Sequence, residues 1–205
     1  AAKLERYDEL FDFYIAKNNI HVLNMLNTKY IIADDDKGTV FPYENTEANG
    51  NAWFIIELEK LKSTNAEIKA LDSLETKKKA VTTQSIPSKN YSVDSTATIK
   101  ISKYKPNYLK YKSNNKNDGF AVFSEIYYGQ GWKSFIDGKE VPHYRVDYVL
   151  RGMEIPKGNH TIEFKFEPGV IKTGSTIALA SSILLGLLVI GGLFLRMQES
   201  RKSKA

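Results

Sequence analysis

Hydrophobic positions follow a helical period at the start of the chain and a period of two from Thr96 onward. Leu4, Leu10, Phe11, Tyr14 and Ile15 fall roughly on one face of a helix running from Ala1 to about Lys17, and Ile20 to Leu26 supports a second short helix. Lys29-Tyr30-Ile31-Ile32-Ala33 predicts a buried strand, followed by the acidic run Asp34-Asp35-Asp36 and by loops marked by Gly38 and Pro42. Ala52 to Leu61 predicts a strand after the Gly50-Asn51 turn. Ser63 or Thr64 caps a helix whose Ile68, Leu71 and Leu74 share a face. Lys77 to Ser95 is polar, contains Pro87 and reads as a linker.

The second half alternates. Thr98 to Tyr104, Tyr108 to Ser113 and Phe120 to Tyr127 predict strands, and Asp137-Gly138 between Lys133–Ile136 and Lys139–Val141 is a strong short-hairpin signal. Tyr148 to Ile155 and His160 to Phe166 flank the turn Pro156-Lys157-Gly158-Asn159. Short alternating strands broken by turns point to an antiparallel β-sandwich. The expected fold is therefore mainly β: a small α+β subdomain over residues 1–90, a β-sandwich over 95–170, a transmembrane helix over 175–195 and a basic tail over 196–205.

The apolar run from Ser175 to Leu195 holds no charge and no proline. As a helix rising about 1.5 Å per residue it spans about 30 Å, the hydrocarbon thickness of a bilayer. A buried core helix would need surrounding layers that the polar remainder cannot supply. Arg196, Arg201, Lys202 and Lys204 follow the run with only Glu199 opposing, which places the tail in the cytoplasm and the body outside, across a bacterial inner membrane. The opening AAKLERYDEL is neither a signal peptide nor a span, so export of the body is expected to depend on upstream helices of a longer chain; a tail-anchored cytosolic body is the competing account. Gly174, Ala178, Ser182 and Gly186 recur every four residues and give the helix a small-residue face for packing against other membrane helices.

Composition narrows the chemistry. The chain carries a net charge of +5, but its lysines are interspersed with Asp and Glu and form no arginine-rich helix, so nucleic acid is not an expected partner. The absence of cysteine excludes disulfides, thiol catalysis and zinc–thiolate sites. Tyr127, Tyr128, Trp132, Tyr144 and Tyr148 are candidates for a sugar-stacking surface, because flat rings match the C–H face of a pyranose; the competing reading places some of them in the sandwich core. Asp34-Asp35-Asp36 contains an Asp-x-Asp pattern of the kind that holds a divalent cation, but acidic runs after a strand are usually turns, and neither a metal nor a cofactor is expected. Glu125 and Asp147 are an imaginable acid–base pair whose separation the sequence leaves open. His21, His143 and His160 are too scattered to suggest a metal site.

Several strings, in order, resemble the C-terminal region of the YfhO family of bacterial membrane proteins. They are Val22-Leu23-Asn24-Met25-Leu26-Asn27-Thr28-Lys29-Tyr30-Ile31-Ile32, Gly50-Asn51-Ala52-Trp53-Phe54, Phe123-Ser124-Glu125-Ile126-Tyr127-Tyr128 with Gly131-Trp132-Lys133, Ile136-Asp137-Gly138-Lys139-Glu140-Val141-Pro142, and Ile155-Pro156-Lys157-Gly158-Asn159-His160-Thr161-Ile162-Glu163-Phe164. One departure is Gly129-Gln130, where the family usually has proline between the tyrosine pair and Gly-Trp. Family members resemble polytopic GT-C-type glycosyltransferases that use lipid-linked sugars. The resemblance implies a last extracytoplasmic domain plus a final helix, with the catalytic acid elsewhere in the parent protein. Two roles follow as expectations. One is an accessory domain that positions envelope glycan or covers the membrane active site, with the bilayer, neighbouring membrane helices and a glycan or lipid-linked sugar as partners. The other is a non-catalytic anchored module that binds another envelope protein.

Overall fold

The computed structural model describes residues 5–34 and 38–202. Residues 1–166 and 167–205 form two separate compact units. In chain order the first unit holds α1 (Glu5–Phe13), a 3₁₀ turn (Ile15–Lys17), α2 (Ile20–Met25), β1 (Tyr30–Asp34), β2 (Val40–Glu44), β3 (Ala52–Ile55), β4 (Glu57–Lys60), α3 (Thr64–Ala70), β5 (Lys79–Thr82) and β6 (Lys89–Asn90). There follow β7 (Thr98–Lys105), β8 (Tyr108–Asn115), β9 (Gly119–Ile126), β10 (Trp132–Ile136), β11 (Lys139–Val141), β12 (Tyr144–Val146), β13 (Leu150–Ile155) and β14 (Gly158–Phe166). The second unit is α4 (Gly169–Lys202).

A five-stranded antiparallel sheet, ordered β11-β10-β14-β8-β7, packs against a four-stranded antiparallel sheet, ordered β12-β13-β9-β3. Phe54, Ala121, Phe123, Met153 and Ile155 from the smaller sheet meet Leu109, Tyr111, Ile162 and Phe164 from the larger one. At the centre, Phe123 stacks edge-on against Tyr111 and against Phe164, with ring centroids 4.9 Å apart in each pair. The expected sandwich is present, but the smaller sheet is covered on its second face as well. Trp53, Ile55, Phe120, Val122 and Leu150 point away from the sandwich into another core with Leu10, Val22, Met25, Leu58 and Leu71. Phe120 to Phe123 are all buried for this reason: in a strand with both faces covered, every position is interior.

The covering layer contains the largest departures from the sequence pattern. The strand expected over 52–61 is two strands, broken at the exposed Ile56: β3 joins the sandwich, while β4 leads a separate sheet with β5 parallel and β6 antiparallel to it. β3 thereby pairs with β9 across the expected 1–90 and 95–170 boundary. The expected linker carries β5 and β6, and its Ala80, Val81, Ile86 and Tyr91 are buried. Its polarity misleads because half-buried Lys79 is ion-paired, its Nζ 2.8 Å from Glu57 and 2.7 Å from Glu59. The β4–α3–β5 crossover is capped by Ser63, whose hydroxyl accepts from the Ala66 amide at 3.2 Å.

The segment marked by Gly38 and Pro42 contains an unexpected strand. β1 and β2 form a two-stranded sheet of their own, with Ile31 opposite Tyr43 and Ile32 opposite Pro42. Tyr30, Ile32, Val40, Phe41 and Tyr43 are all exposed. The base of this hairpin is fixed by buried Asn45, whose side-chain amide donates to Asn24 at 2.8 Å and to the Thr28 carbonyl at 2.9 Å. In α4, Gly169 to Phe194 form a continuous 26-residue stretch long and apolar enough to cross a membrane. An added Cβ at Gly174 or Gly186 would meet nothing within 4 Å, and Ser182 donates back to the Ala178 carbonyl at 2.8 Å.

The close packing of the smaller sheet gives the first prediction. A Cβ at Gly152 on β13 would stand 2.4 Å from the Phe120 ring and 3.0 Å from Val146. Gly152→Ala is expected to destabilise the chain by about 1–3 kcal/mol, read by urea unfolding of the detergent-solubilised protein through tryptophan fluorescence. An unchanged midpoint would show that the Phe120 ring can move aside at no cost.

Candidate functional site

The five candidate aromatic residues do not lie on one strip. Trp132, half-buried on β10, has the Arg151 guanidinium 4.1 Å above its ring centroid and Phe166 at 5.3 Å. Tyr128, which is exposed, lies 6.4 Å from the same Phe166 ring. Tyr144 packs half-buried against the second core, and Tyr148 is buried. Tyr127 is half-buried with its ring centroid 5.5 Å from His143. Tyr127 and Tyr148 converge on a cleft of about 250 Å³ that is also lined by Glu5, Arg6 and Tyr7 from α1 and by Arg145 from β12.

The cleft forms where the β12–β13 hairpin turns. Val146 pairs with Leu150, so Asp147, Tyr148 and Val149 make the turn. Asp147 and Tyr148 have φ of +47° and +70°, and the Val149 amide donates to the Asp147 carbonyl at 2.8 Å. This is the φ-positive γ-turn, strained for residues with side chains, at about 1–3 kcal/mol per position. Surrounding contacts hold it in place. The Asp147 amide donates to the Val81 carbonyl at 2.8 Å, and the Val81 amide returns a bond to Asp147 Oδ1 at 2.9 Å. The Tyr148 amide donates to Glu67 at 3.3 Å, its hydroxyl donates to Glu9, and Arg6 lies 4.5 Å over its ring.

Glu67 joins these contacts together. It is fully buried on α3 and accepts from Arg6 at 3.3 Å, from the Thr83 hydroxyl at 3.0 Å and from Tyr148. Arg145 donates to Thr83 at 3.3 Å, while its carbonyl accepts from the Thr82 hydroxyl at 2.6 Å. Burial, then the nearby Arg6 charge, lowers the Arg145 pKa. Burial pushes the Asp147 carboxyl up to about 8; the Val81 hydrogen bond opposes the rise and the Glu67 charge adds to it. Asp147 Oδ2 and Arg145 Nε are buried with no hydrogen-bond partner among the described residues. Sequence reasoning did not single out Arg6, Glu67 or Arg145. A polar residue inside a helical apolar pattern, as Glu67 is, was the one available signal.

A second polar group occupies the end of the sandwich. Arg151 is buried and donates through Nε and Nη2 to the Ile126 carbonyl at 3.1 and 3.0 Å. Burial lowers its pKa to about 10, with the Glu125 charge opposing that shift, while burial raises the Glu125 pKa. His143 is pushed down to about 4 by burial, then by Arg151. Glu125 and Asp147 thus answer to different partners, Arg151 for one and Val81 and Glu67 for the other. His160 pairs with Asp137 at 2.6 Å, apart from His143, which faces Ser134 at 2.9 Å. Asp34 ends β1, and Asp35 and Asp36 lie outside the described residues. Among the described residues, no cluster of three or more His, Cys, Asp or Glu could hold a metal ion.

The Asp147 shift makes stability depend on pH. The carboxyl pKa is near 3.8 when unfolded and about 8 when folded, so the cost of burying Asp147 is absent below pH 4, grows as pH rises and levels off above pH 8. Asp147→Asn keeps an acceptor for Val81 and removes the titration. Its stability relative to wild type is expected to rise by on the order of 4 kcal/mol between pH 4 and pH 7, in urea unfolding at the two pH values. A difference that stays flat with pH would remove Asp147 as the titrating group.

No curated protein and no solved structure matches the chain. A family model described as bacterial membrane protein YfhO matches residues 72–178, just over half of the chain. That stretch runs from the α3–β5 connection through the whole five-stranded sheet and into α4, which carries the apolar span. The chain belongs to the YfhO family of bacterial membrane proteins.

Proposed function

We propose that this chain is an accessory, non-catalytic extracytoplasmic part of a polytopic GT-C-like envelope glycosyltransferase, holding glycan or covering the membrane-embedded active site. The observation that carries this reading is the cleft in which Tyr127 and Tyr148 meet Arg6 and Arg145. Aromatic rings beside planar donors and carboxylates suit polyols. Asp147 and Glu67, the buried acids behind the cleft, have no exposed surface and serve the turn rather than a substrate. The basic residues after the span support a cytoplasmic tail in the inner membrane, and the Gly174, Ala178, Ser182 and Gly186 face supports packing on other membrane helices.

The exposed β1–β2 hairpin favours a second reading, a module that binds another envelope protein. An isolated two-stranded hairpin is marginal in water, and this one exposes five large apolar side chains. A photo-crosslinker at Ile32, activated in whole membranes, is expected to give one discrete protein adduct under this reading and none under the first.

Two measurements test the first reading. In lipid nanodiscs, the full chain is expected to bind envelope oligosaccharide by saturation-transfer NMR, and Tyr127→Ala is expected to weaken that binding about tenfold; a well-folded chain with no glycan signal would remove glycan holding and leave only the covering role. The lack of native cysteine makes topology directly readable. Cysteine at Lys116 is expected to react with an impermeant maleimide in whole cells, and cysteine at Ser203 only after lysis.

A further inference from the structure

The chemical class of the cleft's ligand follows from its charges, granted the glycan-holding reading above. Two guanidiniums suggest an anion site at first sight. Arg6, however, is committed to buried Glu67 at 3.3 Å and to the Thr64 hydroxyl at 3.2 Å, and its guanidinium lies on the Tyr148 ring. Arg145 spends one nitrogen on Thr83. Glu5 stands exposed on the lining and Glu9 accepts from Tyr148 behind it. Three carboxylates, Glu5, Glu9 and Glu67, therefore outweigh the two arginines, and a bound phosphate or uronate would gain little attraction from Arg145 while facing Glu5.

We infer that the cleft between α1 and the β12–β13 turn holds a single uncharged pyranose ring, stacked on Tyr127 with its hydroxyls shared between Arg145 and Glu5. A guanidinium donates only and a carboxylate accepts only, so the pair satisfies neighbouring hydroxyls that do both. The volume of about 250 Å³ lies below the roughly 300–1,000 Å³ of pockets for drug-sized ligands, which limits the occupant to one ring. So small a ligand binds with a dissociation constant of roughly millimolar order. The ring can come from a polymer or from a lipid-linked sugar, and in either case its own charge is zero.

The test uses the full chain in nanodiscs and saturation-transfer NMR against methyl glucoside, methyl galactoside and methyl N-acetylglucosaminide, with glucuronate and glucose 6-phosphate as the anionic arm. At least one neutral glycoside is expected to bind, with affinity changing less than about twofold between roughly 50 and 500 mM salt. Glu5→Gln is expected to weaken that binding several-fold and to strengthen glucuronate, while Tyr104→Ala, an exposed change on β7, leaves both as they were. The same neutral sugar offered as an oligosaccharide and as a prenyl phosphate separates the two sources. Tighter, salt-sensitive binding of glucuronate or the phosphate would overturn the neutral assignment and leave glycan holding intact. No sugar binding by a folded chain would remove both.

Discussion

The four-stranded sheet is buried on both faces, and the rest of the first unit depends on that constraint. Its inner face completes the sandwich through Phe54, Ala121, Phe123 and Met153; its outer face supports α1, α2, α3 and the β4–β5–β6 sheet through Trp53, Ile55, Phe120 and Val122. A strand in such a position has no solvent face on which polarity can vary, and side-chain volume is constrained on both sides. Gly152 shows the consequence, since the Phe120 ring occupies the space a Cβ would need. The buried Trp53 indole must also find an acceptor, and it donates to the Thr76 carbonyl at 2.7 Å, tying the outer layer to the sheet.

The same constraint explains the charge network at the turn. β12 and β13 are the edge and its neighbour in the central sheet, so their connection emerges under α1 and α3 rather than into water. Buried backbone groups there need partners. Val81 and Glu67 supply them, Glu9 accepts from the Tyr148 hydroxyl, and the cost is a buried carboxyl at Asp147 with a raised pKa. The cleft is a by-product of that arrangement. Tyr148 is held at positive φ with its ring beneath Arg6, a position it would not take in an exposed turn, where glycine or asparagine would be favoured. Stability and the shape of the cleft are therefore set by the same side chains.

Much of this architecture was legible in the sequence where local rules decide. The Asp137-Gly138 hairpin, the alternating strands after Thr96, the short α2 and the apolar run of α4 all follow from period and turn chemistry. Local rules failed where a distant layer decided. Ala52 to Leu61 has no breaker, yet it divides at Ile56 because its two halves serve different sheets. Lys77 to Ser95 looks like a linker because its lysines find partners elsewhere in the chain: Lys79 pairs with Glu57 and Glu59 on the neighbouring strand, and Lys89 with Glu154 on β13. Arg6 and Glu67 are 61 positions apart, and Tyr148 and Glu9 are 139 apart, separations that no spacing argument reaches. Of the five aromatic candidates, two share the cleft and the others answer to Phe166 or to the core, because strand order rather than spacing decides which rings meet.

A cleft of millimolar affinity would be of little use to a freely diffusing protein, since occupancy would require millimolar ligand. Anchoring changes that arithmetic. A helix of 26 apolar residues confines the chain to a bilayer, and any glycan attached to the same membrane is confined with it. Two species held in one plane meet at an effective concentration set by geometry and tether length, which reaches the millimolar range for short flexible links. A weak site is then filled when a glycan is present and emptied quickly, which suits holding a chain that must move on after each transfer. A tighter site would retain the product, so the proposed glycan-holding role calls for a small, weak cleft on a chain that also carries a membrane span.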